Sequence, residues 1–347
     1  YEIPLCDWSS DVCSSDLVTG GTDSVNVLKS SELFNPADKT WTASADMKTA
    51  RRGHSATLLD NGKVLVTGGF DGKTALFTAE VYDPAANTWT ATTGPMTTSR
   101  RFHSATLLND GKVLIAGGVV GPLITTDPKI TELYNPMTGL FTYYTTDLAL
   151  PDARQGHTAT KLSAGCAADS CVLFVGNSGV NSASTKILNY NSTSPLSSTW
   201  SSPAQEMTYL RYNHSTVVLG DNKVLVTGGF GTKSGTSTSV EIYDPVTNKW
   251  TDLSTNSSMS TSRALHTSTK LQDGRVLVVG GYDGSKALTT IEIFDPSNST
   301  WTAPSASKVL NTARAMHTST LLSSGDVLIL GTYFQTSGTI SKTTEIW

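Results

Sequence analysis

Six histidines and six arginines recur in one context. His54, His103, His157, His214, His266 and His317 each lie three residues after Arg51, Arg100, Arg154, Arg211, Arg263 and Arg314. A glutamate also recurs once per unit: Glu32, Glu80, Glu132, Glu241, Glu292 and Glu345. Imidazoles can ligate zinc or copper, but only when they converge within about 2.0–2.3 Å of one ion. Paired carboxylates can do acid–base work at about 5–9.5 Å separation. One residue of each type per unit, at equivalent places, points to scaffold instead: imidazoles bonding a neighbouring unit and glutamates pairing with arginines. No catalytic residue, metal site or cofactor is expected from this pattern.

The elements that must position these residues repeat with them. The histidine spacings are 49, 54, 57, 52 and 51 residues, a period near 50 that suggests stacked or radial repeats. Each unit reads as four short strands. "HSATLL" alternates in part, and "KVLVTGG" is an apolar run ending in paired glycines. Between them lie tight turns such as "DNG" and "QDG", where Asn and Gly tolerate positive φ. The third piece is "AEVYDP", "VEIYDP" or "IEIFDP", ended by a proline that has no N–H to donate. The fourth is "NTWT", "NKWT" or "STWT". No segment has convincing helical periodicity, and strands at about ten-residue spacing argue an all-β chain. Four antiparallel strands per unit, repeated, predict a β-propeller.

Those residues, in register, resemble the Kelch family: paired glycine, then Glu, then Tyr-Asp-Pro, then Trp. The resemblance covers residues 18–347 and is similar to the propeller repeats of galactose oxidase. Counting second strands gives seven blades, with the first lacking its inner strand and the last its outer one; a six-bladed ring is the alternative. The chain is read as cut at both ends. The fourth unit departs most: Asn177 replaces the second glycine, "LNYNST" replaces the Tyr-Asp-Pro piece, and Lys186 stands near the glutamate position. The third has Phe141 for Trp, and the last has Gly331 followed by Thr332.

Several repeated residues have plain packing roles. The glycines suit converging inner strands; a phosphate-cradling role fails because no helix start and no Walker lysine follow. Trp41, Trp89, Trp200, Trp250 and Trp301 fill space between diverging sheets, with a sugar platform as the alternative. The chain direction places the six arginines near the central opening of one face. In Kelch adaptor proteins arginines there grip acidic peptides, so Arg154, Arg51, Arg100, Arg211, Arg263 and Arg314 are the candidate ligand-binding residues. The competing role is a structural Arg–Glu pair in every blade, which the regularity favours. Arg154 is expected to be the least internally paired, because Lys186 takes the glutamate's place.

Residues 1–17, "YEIPLCDWSSDVCSSDL", lack the repeat. The stretch from Asp7 to Leu17 can be back-translated into a string that resembles the end of a common short-read sequencing adapter. It is neither a signal peptide nor expected to pair like a repeat, which places the domain at residues 18–347. The chain carries a net charge of −4, and Glu2, Asp7, Asp11 and Asp16 account for all of it, so −4 minus −4 leaves zero. A neutral balance argues against a nucleic-acid partner, and no apolar run approaches the about 20 residues of a membrane span. Cys166 and Cys171 can bridge a hairpin end, with two free thiols as the alternative. A bridge would imply an oxidising compartment.

The expected function is a non-catalytic, secreted binding module at an extracellular or cell-surface location, presenting loops to a protein or carbohydrate ligand. The longest loops are residues 119–129 and 230–239. The resemblance also implies two enzymatic alternatives. One is the propeller of a galactose-oxidase-like copper radical oxidase, although neither Cys166 nor Cys171 is placed for its Tyr–Cys cross-link. The other is a sugar-isomerising Kelch enzyme. Sequons begin at Asn191, Asn213, Asn256 and Asn298; Asn213 immediately precedes a repeat histidine, which counts against modification there.

Overall fold

A computed structural model of the chain describes residues 2–4 (backbone), 16–23, 25–120, 129–178, 183–231, 235–304, 309–331 and 343–347. Residues 5–15, the middles of the two long loops (121–128 and 232–234) and Thr332 lie outside the described residues. The fold is an all-β propeller of seven small antiparallel sheets. Its described helical content is a single 3-10 turn, Pro195–Ser197.

The first sheet holds β1 (Glu2–Pro4), β2 (Asp16–Thr19), β3 (Ser31–Asn35) and β4 (Thr40–Ser44); the second holds β5 (Ser55–Leu58), β6 (Val64–Thr67), β7 (Ala79–Asp83) and β8 (Thr88–Ala91). The third holds β9 (Ser104–Leu107), β10 (Val113–Ala116), β11 (Thr131–Asn135) and β12 (Leu140–Tyr144). The fourth holds β13 (Thr158–Leu162), β14 (Ser170–Val175), β15 (Thr185–Tyr190) and β16 (Thr199–Ser201). In the fifth, β17 (Ser215–Val218) and β18 (Val224–Thr227) are followed by a small side hairpin, β19 (Phe230–Gly231) and β20 (Gly235–Thr236), before β21 (Val240–Asp244) and β22 (Lys249–Asp252). The sixth holds β23 (Thr267–Lys270), β24 (Val276–Val279), β25 (Ile291–Asp295) and β26 (Thr300–Thr302). The seventh has three strands, β27 (Thr318–Leu321), β28 (Val327–Leu330) and β29 (Thr344–Ile346).

The first sheet corrects one expectation. It does not lack its inner strand: Glu2, Ile3 and Pro4 pair antiparallel with Val18, Leu17 and Asp16. Pairing satisfies backbone groups that β2 would otherwise present as an open edge. Residues 2–4 pair in this sheet and Asp16 and Leu17 belong to β2, which weakens the reading that sets residues 1–17 outside the fold. The register does expose an oddity. Asp16 pairs with Phe34 as Val64 pairs with Tyr82 and Val276 with Phe294. A carboxylate thus occupies a place where the other sheets carry valine.

Local sequence explains the strands. In the second to seventh sheets the second strand is mostly β-branched or apolar and buried throughout, as in Val64–Thr67 and Val276–Val279, because both of its faces meet protein. The hairpins between third and fourth strands use one left-handed residue each: Lys39, Asn87, Gly139, Asn248 or Ser299. Upstream, an Asp or Asn caps the turn, Asp83 Oδ1 accepting from Ala85 N at 3.0 Å and Asp244 Oδ1 from Val246 N at 2.9 Å.

Two compact units are present. One comprises Tyr1–Gln155 with Asn191–Thr199 and Leu322–Ser324; the other comprises Gly156–Tyr190, Trp200–Leu321 and Gly325–Trp347. In the first unit, Leu17, Val64, Val66, Tyr82 and Trp89 form one core, and Leu65, Val113, Ile115 and Tyr134 another. In the second unit the corresponding cores gather around Leu173, Val226, Tyr243 and Trp250, around Leu225, Val276 and Phe294, and around Leu277, Ile293, Val327 and Ile329. Each core joins side chains of consecutive sheets. Cross-strand aromatic pairs seal their outer ends, with ring centroids 5.1 Å apart for Tyr82–Trp89 and 5.2 Å for Tyr243–Trp250. The indole of Trp89 donates to the Ala45 carbonyl at 2.9 Å, and that of Trp301 to the Ser257 carbonyl at 3.1 Å. Both reach back towards the preceding sheet, which is the inter-sheet filling expected of them.

The paired glycines are where the sheets lock together. The N–H of Gly69 donates to the Arg100 carbonyl at 2.8 Å. A Cβ on Gly68, at φ +59°, would stand 2.3 Å from that same oxygen, so only glycine lets the strands approach this closely. The fourth sheet keeps the bond despite its departure, Asn177 N donating to Arg211 O at 3.1 Å.

Candidate functional site

The six repeat arginines are fully buried, each with 0% of its surface exposed. Five pair with the glutamate of their own sheet: Arg51–Glu80 at 2.8 Å, Arg100–Glu132 at 2.9 Å, Arg211–Glu241 at 2.7 Å, Arg263–Glu292 at 2.6 Å and Arg314–Glu345 at 2.9 Å. Further donors go to backbone, as when Arg51 Nη1 bonds the Gly68 carbonyl at 2.7 Å. The glutamates do a second job. Glu80 accepts from the N–H groups of Lys48 and Thr49 at 2.7 and 3.0 Å, and Glu241 from Thr208 and Tyr209 at 2.8 and 3.2 Å. Each carboxylate therefore fixes both the arginine and the segment leading to it. Burial lowers the pKa of Arg51, Arg100, Arg211 and Arg263, and the glutamates oppose that shift.

The fourth sheet solves the same problem differently. Lys186 faces Phe174 in the register where Glu80 faces Val66. Arg154 is paired nonetheless, its Nε and Nη2 donating to Asp152 at 3.0 and 3.2 Å. The candidate ligand role of Arg51, Arg100, Arg154, Arg211, Arg263 and Arg314 thus meets guanidinium groups that face inward onto carboxylates. The geometry gives all six a scaffold position.

The histidines follow suit. His103, His214, His266 and His317 bond, through Nε2, the hydroxyls of Thr67, Thr158, Thr227 and Thr267 at 2.8, 2.9, 2.8 and 2.9 Å. Desolvation holds His54, His214 and His266 well below the usual imidazole range and His317 at about 3. Among the described residues no three His, Cys, Asp or Glu converge as a metal site. Cys166 and Cys171 form a disulfide with Cα atoms 5.7 Å apart, in the turn joining β13 to β14.

Of the residues next to the arginines, Arg52, Arg101, Gln155 and Tyr212 are half-buried, while Ala264 and Ala315 are buried. In the first unit, Arg52 bridges to Phe70 and Arg101 to Val119. The Arg52 guanidinium carbon lies 5.3 Å from the centroid of Phe70, and that of Arg101 lies 4.8 Å from Phe70 and 5.8 Å from Phe102. Two cations therefore share one ring. Such contacts hold a guanidinium plane without neutralising it. Desolvation lowers the pKa of Arg101, and the Arg52 charge adds to the shift. Arg101 makes no salt bridge among the described residues, and its Nε has no partner among them. Phe102 is 44% exposed at φ +54°, and its N–H donates to the Gly53 carbonyl at 2.8 Å. The residue before each repeat histidine is left-handed, Gly53, Gly156, Asn213, Leu265 and Met316 included, so this conformation belongs to the repeat.

The second unit presents rings at the same repeat positions. Tyr212 and Phe230 lie 5.2 Å apart, and Phe230 and Tyr282 6.2 Å apart. Asn213, Leu265 and Met316 follow in left-handed conformations, linked by bonds from Leu265 N to Asn213 O and Met316 N to Leu265 O, both 2.9 Å. A separate open cleft of about 420 Å³ is lined by Ser254, Thr255, Asn256, Ser257, Ser258, Ser299, Thr300 and Trp301. Repeat reading missed Arg52, Arg101, Phe102 and Tyr212, because their positions carry no repeated residue, and passed over the ring that follows the paired glycines at Phe70, Phe230 and Tyr282. The signal that could have found Arg52, Arg101 and Tyr212 is variation: Arg, Arg, Gln, Tyr, Ala and Ala follow the six constant arginines.

Comparison with known proteins bears on the whole repeat. Residues 110–332, more than half of the chain, match the family described as the KLHDC2/KLHL20/DRC7 Kelch-repeats domain, and residues 51–95 match the Kelch motif. The spermatocyte protein spe-26 of Caenorhabditis elegans is 30% identical over 90 residues, covering 24% of this chain and 15% of that protein. Kelch-like protein 40 of Xenopus tropicalis is 36% identical over 93 residues, covering 27% of this chain and 14% of that protein. The matched stretches thus span about a seventh of these relatives' length.

Among solved structures, a fungal alcohol oxidase of the AA5 family, in complex with copper, is similar with a TM-score of 0.70 at 18% identity, covering 92% of this chain and 67% of that one. That likeness is one of fold. Among the described residues four imidazoles bond threonines, and Cys166 and Cys171 form a disulfide. Seven antiparallel sheets, a buried Arg–Glu pair in five of them, paired glycines under the next arginine's carbonyl and the match over residues 110–332 lead to one conclusion: the chain belongs to the Kelch-repeat family of β-propellers.

Proposed function

We propose that this chain is a non-catalytic, exported binding module whose ligand is a carboxylate-bearing segment of another protein, held by Arg101 on the Phe70 and Phe102 rings. The observation that carries this reading is Arg101. It is half-buried, stacked on two rings, and makes no salt bridge among the described residues. A guanidinium held as a plane is pre-organised for bidentate contact with a carboxylate. An aromatic floor supplies apolar contact to the rest of the segment. The Kelch relatives support a protein ligand over a glycan. The disulfide supports export, since such bonds persist in oxidising compartments. No helix among the described residues is long and apolar enough to cross a membrane.

The test is a peptide array of acidic and charge-neutral sequences probed with wild-type protein and with Arg101→Ala. The reading expects binding to acidic peptides that weakens with salt and falls at least about tenfold in the variant, about 1.4 kcal/mol. Equal binding of neutral peptides, or an unchanged profile in Arg101→Ala, would overturn it.

A further inference from the structure

Three of the four sequons fall into two structural classes. Asn298 is exposed at the tip of the hairpin between β25 and β26. Its Oδ1 accepts from Thr300 N at 3.1 Å and from Thr300 Oγ1 at 2.6 Å. Asn191 makes the same arrangement, accepting from Thr193 N at 3.1 Å and Thr193 Oγ1 at 2.8 Å. In both, the turn is held through the amide oxygen alone. No hydrogen bond among the described residues uses Nδ2 of either side chain. The amide nitrogen can therefore lose a hydrogen without loss of any bond that shapes the turn. Ser299 and Thr300 also border the open polar cleft, which leaves room beside Asn298 for a hydrated substituent.

Asn213 is the opposite case. It is left-handed at φ 49°; its N–H donates to Gly156 O at 2.7 Å, and its carbonyl accepts from Leu265 N at 2.9 Å. Its Oδ1 lies 2.7 Å from where a Cβ on Gly156 would stand. A bulky group on that side chain would have to clear the Gly156 segment that leads into β13. The sequon motif alone is only a pattern; the turn geometry is what separates these sites.

We infer that Asn298 and Asn191 are N-glycan acceptors and that the Asn213 sequon is silent in the folded protein. The co-reactant is a lipid-diphosphate-linked oligosaccharide. The Asn Nδ2 forms a bond to its anomeric carbon, the carbon–oxygen bond to the diphosphate breaks, the lipid diphosphate leaves with the electron pair, and a base of the transferase takes the amide proton. No oxidation is involved. Transfer precedes or accompanies folding, so the folded structure selects which glycosylated chains survive. The inference rests on the export part of the reading above, and the experiment separates the two by supplying export itself.

The full chain is translated behind a cleavable export leader in a cell-free system with microsomal membranes. The protease-protected, disulfide-closed fraction is treated with a glycan-releasing amidase, which hydrolyses the side-chain amide of glycosylated Asn to Asp, and its peptides are weighed. The expected result is conversion at Asn298 and Asn191 and none at Asn213, with Thr300→Ala and Thr193→Ala each losing one glycan by gel mobility. Folded protein without glycan at Asn298 and Asn191, or with glycan at Asn213, would overturn the inference. So would a folded, protected fraction for the Asn191→Gln, Asn298→Gln double variant together with none for the wild-type chain. If the sites are occupied here but the parent protein is never exported by its own sequence, export alone fails.

Discussion

Asp16→Val should stabilise the protein, and by an amount that depends on pH. Asp16 is 2% exposed at the start of a core strand, in the register that Val64, Val113, Val224, Val276 and Val327 hold in other sheets. Its Oδ2 has no hydrogen-bond partner among the described residues. Burial raises its pKa from 3.8 to about 6. A shift of that size corresponds to about 3 kcal/mol at neutral pH, and residual solvent screening trims this to about 2. The isosteric valine adds up to about 1.5 kcal/mol from apolar burial.

The sign follows from the direction of the shift. The folded state binds the proton more tightly than the unfolded chain. The Asp16 penalty is therefore absent below pH 3.8, grows as pH rises, and is complete above about pH 6. Urea unfolding of wild type and Asp16→Val at a series of pH values from 4 to 8 reads the difference directly. The reasoning expects the variant to lead by about 2–4 kcal/mol at pH 7.5 and by markedly less at pH 4. A pH-independent difference, or a destabilised variant, would refute it.

Two further outcomes follow from the buried charges. Glu241→Leu strands Arg211 without its 2.7 Å partner and should cost about 3–5 kcal/mol, measured as a lowered denaturation midpoint. His317, with a folded pKa of about 3, remains neutral in the fold while its unfolded counterpart binds a proton below about pH 6.5. Its contribution is thus lost as pH falls from 6.5 towards 3, and His317→Gln should remove up to about 1.4 kcal/mol per pH unit from the acid slope of stability.

What the sequence disclosed was whatever the repeat enforces. Gly68-Gly69, the Arg100–Glu132 pairing and the Trp89 wedge recur because every sheet meets its neighbour in the same way. Repetition made their spacing visible without coordinates. The place of Arg51 and Arg100 in the chain was legible, but their direction was not. A residue at the head of an inner strand lies near the central opening whether it points in or out. Only the reach of Glu80 and Glu132 settles the matter. Arg101 and Phe102 were hidden for the opposite reason, since a residue that occurs in one or two sheets leaves no periodic trace. Lys186 announced that the fourth sheet lacked its glutamate. The replacement by Asp152 was not legible, because a carboxylate two residues before its arginine looks like any loop aspartate.

The central claim is that each repeat arginine is scaffold and that Arg101, next to Arg100, is the group offered to the proposed ligand. Parallel denaturant unfolding of Arg100→Ala and Arg101→Ala tests it most directly. Arg100 is fully buried on Glu132, so its loss strands a carboxylate and should cost about 3–5 kcal/mol. Arg101 carries no ion pair among the described residues, and truncating it should change stability by no more than about 1 kcal/mol, the value of its ring contacts. Similar midpoints for the two variants, or a larger loss for Arg101→Ala, would contradict the account.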